Sequence, residues 1–127
     1  MANNNEGILE IMKDASNLQK ENIFLEELVD THKEDNGSLY VDYKLIEGED
    51  LYHYLEKNNV SDAEKLVWIY FIADQLETLH KKVVHRDICP KNIIIDSNHY
   101  PHIVNYDVAQ KIGRPIFDDR HVGTAIY

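Results

Sequence analysis

The sequence has a single cysteine, three prolines and no long apolar run. Cys89 cannot form an intramolecular disulfide, and no Cys/His spacing resembles a zinc site, so packing alone has to stabilise the fold. The longest apolar run, Leu66–Ala73, is much shorter than the ~18 residues of a membrane span, and the polar amino terminus does not resemble a signal peptide. These absences predict a cytoplasmic protein without a membrane partner or a structural metal.

Basic residues are also scarce in the first half of the chain. Residues 1–64 contain 5 Lys or Arg against 16 Asp or Glu, whereas residues 65–127 contain 8 against 7, and the net charge is −10. A surface that binds nucleic acid has to neutralise phosphates, and the sequence contains no basic stripe with interleaved aromatic residues. Composition therefore argues against nucleic acid as a partner.

The length and composition of the chain predict one globular domain over residues 8–127, after a disordered start at residues 1–7.

Apolar spacing in the first half predicts a helix, a β-hairpin and a second, short helix. The first helix is predicted over residues 7–16, where apolar residues recur every three or four positions. Two apolar runs, at 23–29 and 39–46, flank Asn36-Gly37, a pair that suits a turn with positive φ. The short helix is predicted over residues 50–56, and its first residue is an aspartate, which is a preferred cap.

The second half contains the clearest helix signal, a capping box at Ser61-Asp62-Ala63-Glu64. The helix behind it is predicted to reach His80. Trp68 and Ile72 widen its expected apolar face, whose central stripe consists of Leu66, Ile69, Ala73, Leu76 and Leu79. A second hairpin is predicted from the runs at 93–95 and 102–106. Helices and short strands in this order predict an α+β fold.

The nonapeptide Val84-His85-Arg86-Asp87-Ile88-Cys89-Pro90-Lys91-Asn92 lies between the long helix and the Ile93 strand. Asp87 offers a carboxylate that can orient a hydroxyl group and take its proton, and Asn92 offers an amide oxygen that can bind a metal ion. As purely structural residues, Asp87 would occupy a turn, Asn92 a cap and His85 a core position. The combination of residue types and spacing favours the catalytic interpretation.

This stretch resembles the H-R-D-x-x-x-x-N catalytic loop of protein kinases. The similarity covers roughly residues 8–127 and only the centre of the family's domain, from helix C to the activation segment. The resemblance implies a partial, protein-kinase-like α+β domain, in which small-lobe strands 1–3 and the late large-lobe helices are missing. It also implies ATP-dependent phosphoryl transfer to serine or threonine, with Asp87 as base, Asn92 as Mg²⁺ ligand and Arg86 as partner of a phosphate on the activation segment.

Residues 38–51 align without a gap with the fifth strand, the hinge and the following helix of a kinase. This alignment places Tyr43 at the gatekeeper position, and it places the backbone of Lys44, Leu45 and Ile46 against the adenine of ATP. An ordinary buried strand would explain the same residues, because backbone recognition leaves no side-chain signature in a sequence.

Two departures from the family pattern imply weak catalysis. Asn105-Tyr106-Asp107 stands where kinases carry Asp-Phe-Gly, so the metal-binding aspartate is replaced by asparagine, which brings no negative charge to Mg²⁺. Asp107, at the glycine position, would compensate only through a backbone shift. Cys89 replaces a lysine that contacts the transferred phosphate in many serine/threonine kinases.

The expected activation segment, Val108 to Gly123, contains no Ser, Thr or Tyr that could be phosphorylated. We hypothesise that Asp118 or Asp119 serves as a fixed negative partner for Arg86; a solvated loop explains these acids equally well. The segment ends in Gly123-Thr124-Ala125-Ile126-Tyr127, which resembles the G-T-x-x-Y that precedes the Ala-Pro-Glu motif of kinases.

Three functions fit the sequence. The first is a serine/threonine protein kinase domain that is inactive by itself. The second is a non-catalytic pseudokinase or truncated module that binds a protein substrate or a partner kinase, or self-associates, through the apolar face of the long helix. The third is a small-molecule phosphotransferase with a His-x-Asp-x-x-x-x-Asn loop, against which Arg86 and Gly123-Thr124-x-x-Tyr127 argue.

Overall fold

The computed structural model describes residues 4–113, which form three helices and seven short strands. In chain order these are α1 (Asn4–Leu18), β1 (Leu28–Lys33), β2 (Leu39–Tyr43), β3 (Gly48–Asp50), α2 (Leu51–Lys57), α3 (Asp62–Leu79), β4 (Val83–Val84), β5 (Ile93–Asp96), β6 (Pro101–Ile103) and β7 (Gln110–Lys111). The strands form three small antiparallel sheets, β1–β2, β3–β5–β6 and β4–β7. The mixture of helices and strands agrees with the predicted α+β class.

The first hairpin is shorter than the sequence predicts at its amino-terminal end. β1 begins at Leu28 rather than at Ile23, because the Asn22 side chain accepts a hydrogen bond from the Phe24 N–H at 3.1 Å and the Asn22 carbonyl accepts from the Leu25 N–H at 3.2 Å. These two bonds form a turn, and they leave Ile23 73% exposed.

The far end of the hairpin also differs from the prediction. β2 ends at Tyr43 rather than at Ile46, and the Lys44 N–H makes one more bond across the hairpin, to the Glu27 carbonyl at 2.9 Å. The predicted turn is confirmed, since Gly37 has a φ of 87°.

Both predicted helix caps are confirmed. The Asp50 carboxylate accepts from the His53 N–H at 3.0 Å at the start of α2, and the Ser61 hydroxyl accepts from the Glu64 N–H at 3.2 Å at the start of α3. His80 caps the end of α3, as the sequence predicts. α1, by contrast, begins at Asn4, three residues before its predicted start.

The predicted inward face of α3 is wrong for three of its five residues, because Leu66, Ile69 and Ala73 are exposed. Leu66 and Ile69 are 65% and 60% exposed, whereas Trp68 and Gln75 are buried. The β5–β6 hairpin explains this orientation: its His99 carbonyl accepts from Trp68 Nε1 at 2.8 Å, so the helix turns that side inward. Within residues 4–113, no helix is long and apolar enough to span a membrane.

Two apolar clusters form the core, and Ile72 of α3 packs against both. The first joins α1, the end of α3, β4 and β6, and its Leu79, Val83 and Ile103 are completely buried. The second lies under α2 and consists of Val60, Trp68, Ile93 and Ile95. These clusters anchor β4 on one side and β5 on the other side of the loop that carries the catalytic signature.

Gly48 at the start of β3 has no room for a side chain. A methyl group there would overlap the Ile95 carbonyl oxygen and would lie 2.8 Å from the carbonyl carbon of that residue. We expect Gly48→Ala to lower the free energy of unfolding by about 2–3 kcal/mol, because backbone atoms cannot move aside cheaply. Urea denaturation measures this loss. Gly7→Ala is the matched control, since Gly7 lies in α1 facing open space, and the change should leave stability equal or slightly higher. Equal effects of the two substitutions would contradict the β3–β5 pairing.

Candidate active site

Asp87 and Asn92 contact each other directly across the loop between β4 and β5. The Asn92 Nδ2 group donates to the Asp87 carbonyl at 2.9 Å and to Asp87 Oδ2 at 3.0 Å. The 3₁₀ turn Pro90–Asn92 and the core position of Asn92 hold this arrangement. The amide nitrogen therefore faces Asp87, and the amide oxygen, Oδ1, points away from it.

His85 fixes the base of the loop. It is 1% exposed, its Nε2 lies 2.8 Å from the Val104 carbonyl, and its Nδ1 accepts from the Asp87 N–H at 3.1 Å. These partners require the tautomer with the proton on Nε2. Burial lowers the pKa of His85, so the ring stays neutral and retains this pattern.

Arg86 ties the loop to the segment that follows the Asn105-Tyr106-Asp107 triplet. Its backbone is in the left-handed region, with a φ of 71°, and its Nε donates to the Val108 carbonyl at 2.6 Å. The predicted partners Asp118 and Asp119, like the Gly123–Tyr127 motif, lie outside the described residues.

Asn105 reaches the amide of Asn92. Its side-chain amide lies 3.2 Å from Asn92 Oδ1. When the Asn105 amide nitrogen turns toward Asp107 instead, it donates to that carboxylate at 2.9 and 3.2 Å, and its oxygen then lies 3.2 Å from Asn92 Oδ1. Because Asp87 fixes the orientation of Asn92, this second arrangement places two amide oxygens opposite each other.

A divalent cation between these two oxygens would relieve their repulsion, so the residues present fit Mg²⁺. They would, however, contribute little negative charge to the site. Oxygen ligands suit Mg²⁺, but amide oxygens add no negative charge, and the nearest acids are Asp87 and Asp107. Among residues 4–113, no group of three or more His, Cys, Asp or Glu residues could hold a metal ion by itself. Asn92, Asn105 and Asp107 are thus the residues that could hold the cation.

Glu26 is a member of the site that the sequence did not reveal. Its Oε2 is buried without a hydrogen-bond partner among the described residues, and the backbone of Asn105 and the charge of Asp107 lie close enough to act on the carboxyl group. Burial, above all, raises its pKa from 4.5 to about 7, the Asn105 N–H opposes this rise, and the Asp107 charge adds to it. In the sequence Glu26 is one of two adjacent glutamates in an acidic half, and nothing marks it as buried.

The raised pKa of Glu26 predicts a pH dependence of stability. An unfolded chain ionises this carboxyl near pH 4.5 and the folded chain near pH 7, so the stabilisation is complete below pH 4.5 and is lost as the pH rises through about 7. We expect the difference in unfolding free energy between wild type and Glu26→Gln to fall by about 2 kcal/mol from pH 4.5 to pH 8, after allowance for partial solvent access. Denaturant titrations at several pH values measure it, and a constant difference would contradict the burial of Glu26.

Tyr43 lies beside the same group of residues. Burial raises the pKa of its phenol well above the ordinary value, and the carboxylates of Glu26 and Asp107 add to this shift. Its hydroxyl group is buried without a hydrogen-bond partner among the described residues. The ring of Tyr106, which lies 5.4 Å from that of His85, has an unpartnered buried hydroxyl as well. The structure therefore brings the predicted gatekeeper position close to the Asn105-Tyr106-Asp107 triplet.

The segment Lys44–Ile46 leaves β2 as an extended connection. Leu45 is 81% exposed, and among the described residues no hydrogen bond engages the backbone of Ile46. A cavity of about 260 Å³ borders this segment, between residues 19–27 and the β5–β6 hairpin. Its lining includes neither Asp87 nor Asn92, so this cavity is separate from the catalytic loop.

Comparison with known proteins agrees with these features. The family model described as the protein kinase domain matches residues 4–127. Extracellular signal-regulated kinase 7 of Drosophila melanogaster is 31% identical over 96 residues, which are 72% of this chain and 10% of that protein. Dual specificity protein kinase zakA of Dictyostelium discoideum is 38% identical over 72 residues, 54% of this chain and 9% of that protein. Human serine/threonine-protein kinase 32B is 30% identical over 78 residues, 60% of this chain and 19% of that protein.

A solved structure has the same fold. The Cydia pomonella granulovirus kinase PK-1 superposes with a TM-score of 0.72 and 23% sequence identity, over 91% of this chain and 42% of that chain. The chain thus spans between 9% and 19% of the length of the three relatives named above.

Proposed function

Because the chain belongs to the protein kinase family, we propose that it binds ATP against the backbone of Lys44–Ile46 and directs Asp87 toward an acceptor hydroxyl group of a protein. The observation that carries this proposal is the pair of hydrogen bonds from Asn92 Nδ2 to the Asp87 carbonyl and carboxylate, at 2.9 and 3.0 Å. They hold the Asp87 carboxylate in a fixed position in the loop. Cys89, the single cysteine of the sequence, is buried and forms no disulfide within the chain, which supports the proposed location in the reducing cytoplasm.

The residues of the loop have separate tasks in this proposal. Asp87 orients the acceptor hydroxyl and takes its proton, and Asn92 keeps the Asp87 carboxylate in one rotamer. Neutral His85 holds the Asp87 N–H and the Val104 carbonyl, and thereby joins the loop to β6. Arg86 attaches the loop to the Val108 carbonyl.

Mg²⁺, when bound, neutralises charge on the phosphates of ATP. The amide oxygens of Asn92 and Asn105 would hold it, with Asp107 as the nearby acid. Asn105 contributes no charge, so we expect weak cation binding and a slow phosphoryl transfer.

Titration with ATP, with and without Mg²⁺, followed by backbone NMR, tests the proposal. We expect shifts in the amide signals of Leu45, Ile46 and Asn92, and transfer of the γ-phosphate to a serine/threonine peptide library that Asp87→Asn abolishes. The Asp87→Asn chain should still bind ATP, because Asp87 acts on the acceptor. Shifts confined to residues outside Lys44–Ile46, or none, would contradict the proposal.

A second candidate function is the binding of a protein partner without catalysis. The exposed side of α3 favours it, since four large apolar residues there are more than half exposed: Leu66, Val67, Ile69 and Tyr70. Such a face can bind a partner kinase or a second copy of the chain. Sedimentation velocity over a hundredfold concentration range, with Ile69→Glu as comparison, tests self-association. A monomer at all concentrations in both proteins would exclude it.

A further inference from the structure

His102 joins the β5–β6 hairpin to the segment that precedes β1. Its side chain is 12% exposed, its Nδ1 lies 2.8 Å from the Phe24 carbonyl oxygen, and its Nε2 lies 2.7 Å from Asp96 Oδ2. The rings of Phe24 and His102 also pack edge to face, with their centroids 5.5 Å apart. These contacts fix the orientation of the imidazole ring.

Both hydrogen-bond partners of His102 are acceptors. A backbone carbonyl has no proton to donate, and the Asp96 carboxyl is ionised. Burial alone would raise the pKa of Asp96, but the hydrogen bonds from His102 and from the N–H groups of Tyr100 and Asn98 hold it below its ordinary value. Asp96 Oδ1 accepts from these two N–H groups, at 2.9 and 2.8 Å, so Oδ2 is left for His102. A neutral imidazole has one N–H, and only the imidazolium donates from both nitrogens.

The hydrogen bond from His102 Nδ1 is one of three that link, in pairs, the segments lining the cavity of about 260 Å³. The second runs from the Lys44 N–H to the Glu27 carbonyl at 2.9 Å. The third runs from the Ser97 N–H to the Glu47 carbonyl at 3.1 Å. The last two join backbone groups, which do not titrate, whereas a histidine gains or loses its charge between about pH 5 and 8. A change of pH in that range therefore acts on the contact made by His102.

The charges around His102 favour a cation at this position. The other charged groups that line the cavity, besides the Asp96 carboxylate, are Glu26, Glu27, Lys44 and Glu47. Lys44 pairs with Glu27 at 3.5 Å, which leaves an excess of negative charge. Nearby negative charge stabilises the protonated form of an imidazole.

We propose that His102 carries a proton on both ring nitrogens in the folded chain and acts as a pH-sensitive latch, which holds the segment before β1 against the β5–β6 hairpin and loses one of its two contacts when one proton leaves. The second proton is needed because Asp96 only accepts. In Asp96→Asn, the new amide oxygen can accept from the turn N–H groups while the amide nitrogen donates to a neutral His102. Both contacts of the ring then persist with a single proton. The latch does not require a nucleotide or a metal ion.

Nitrogen-15 NMR of the imidazole rings at pH 7 tests the protonation directly. We expect two protonated ring nitrogens for His102 in wild type, and one protonated and one bare nitrogen in Asp96→Asn. His53 is the internal control: its Nδ1 lies 2.7 Å from Asp50 Oδ2, and Asp96→Asn should leave its signals unchanged. A bare ring nitrogen on His102 in wild type, or identical His102 signals in the two proteins, would overturn the latch.

Thermal unfolding at several pH values gives the second readout. We expect the melting temperature of wild type minus that of Asp96→Asn to fall by about 4 °C from pH 5.5 to pH 8.5, because wild type loses one buried hydrogen bond as the ring loses a proton and the variant loses none. Both proteins contain Glu26, so its titration contributes to both curves. His102→Gln, which removes the titrating ring, should give a fall of the same size relative to wild type. A difference that stays constant or grows with pH for both variants would overturn the latch.

Discussion

Replacing Asn105 by aspartate should raise the affinity of the chain for Mg²⁺ about tenfold to hundredfold, which corresponds to about 1.4–2.8 kcal/mol. The new carboxylate would face Asn92 Oδ1, which now lies 3.2 Å from the Asn105 amide. The backbone should accept the change, because aspartate occupies the left-handed region almost as readily as asparagine. Isothermal titration calorimetry with Mg²⁺ measures the affinity.

Without a cation, the same substitution should lower stability. Glu26 and Asp107 already place carboxyl groups near this position, and a third would repel them. Added Mg²⁺ should restore the melting temperature. Asn98→Asp is the matched control, since Asn98 lies in the exposed turn between β5 and β6 and gains the same charge far from the site. An equal gain in Mg²⁺ affinity in both variants would mean that the chain binds the cation through its general acidity.

Replacing Gln75 by leucine should lower the free energy of unfolding by about 3–5 kcal/mol. Gln75 is completely buried, its Nε2 donates to the Pro101 carbonyl at 2.7 Å, and its Oε1 accepts from the Ile103 N–H at 2.9 Å. Leucine fills a similar volume, so the loss comes from two buried backbone groups that are left without partners. Guanidinium denaturation followed by Trp68 fluorescence measures the change.

Thr78→Val is the control for Gln75→Leu. Thr78 is also buried on α3, but its hydroxyl donates to the Asp74 carbonyl one turn earlier in the same helix, at 3.2 Å. We expect a loss of about 1 kcal/mol or less. If Gln75→Leu lowers the free energy of unfolding no more than Thr78→Val does, α3 does not hold β6 through Gln75, and Gln75 does not face the core.

Features that depend on contacts between residues close in the sequence could be predicted from the sequence. Asp50 and Ser61 cap helices through bonds that span three residues, and Gly37 provides the positive φ of its turn. Asp87 and Asn92 lie five positions apart in one loop, so their contact could also be expected from the motif. Identification of the family followed from the same local signature.

Features that depend on distant contacts could not be predicted. Apolar periodicity placed Leu66 and Ile69 inward on α3, but the polar Gln75 faces the core because two backbone groups of β6 require it. The burial of Glu26 could not be predicted either, since Asn105 and Asp107, which lie near it, are about 80 positions further along the chain. The buried side chain of Gln75 satisfies the backbone of another element, and the spacing of residues in the sequence does not reveal such a pairing.

The melting temperature measured with ATP is the most direct test of the proposed nucleotide site and its cation position of low charge. A ligand that binds the folded chain raises the melting temperature according to its concentration and affinity. We expect the melting temperature to rise with ATP in the presence of EDTA and to rise slightly further with Mg²⁺, and we expect Asn92→Ala to lose that further rise. An unchanged melting temperature with millimolar ATP, both with and without Mg²⁺, would contradict it.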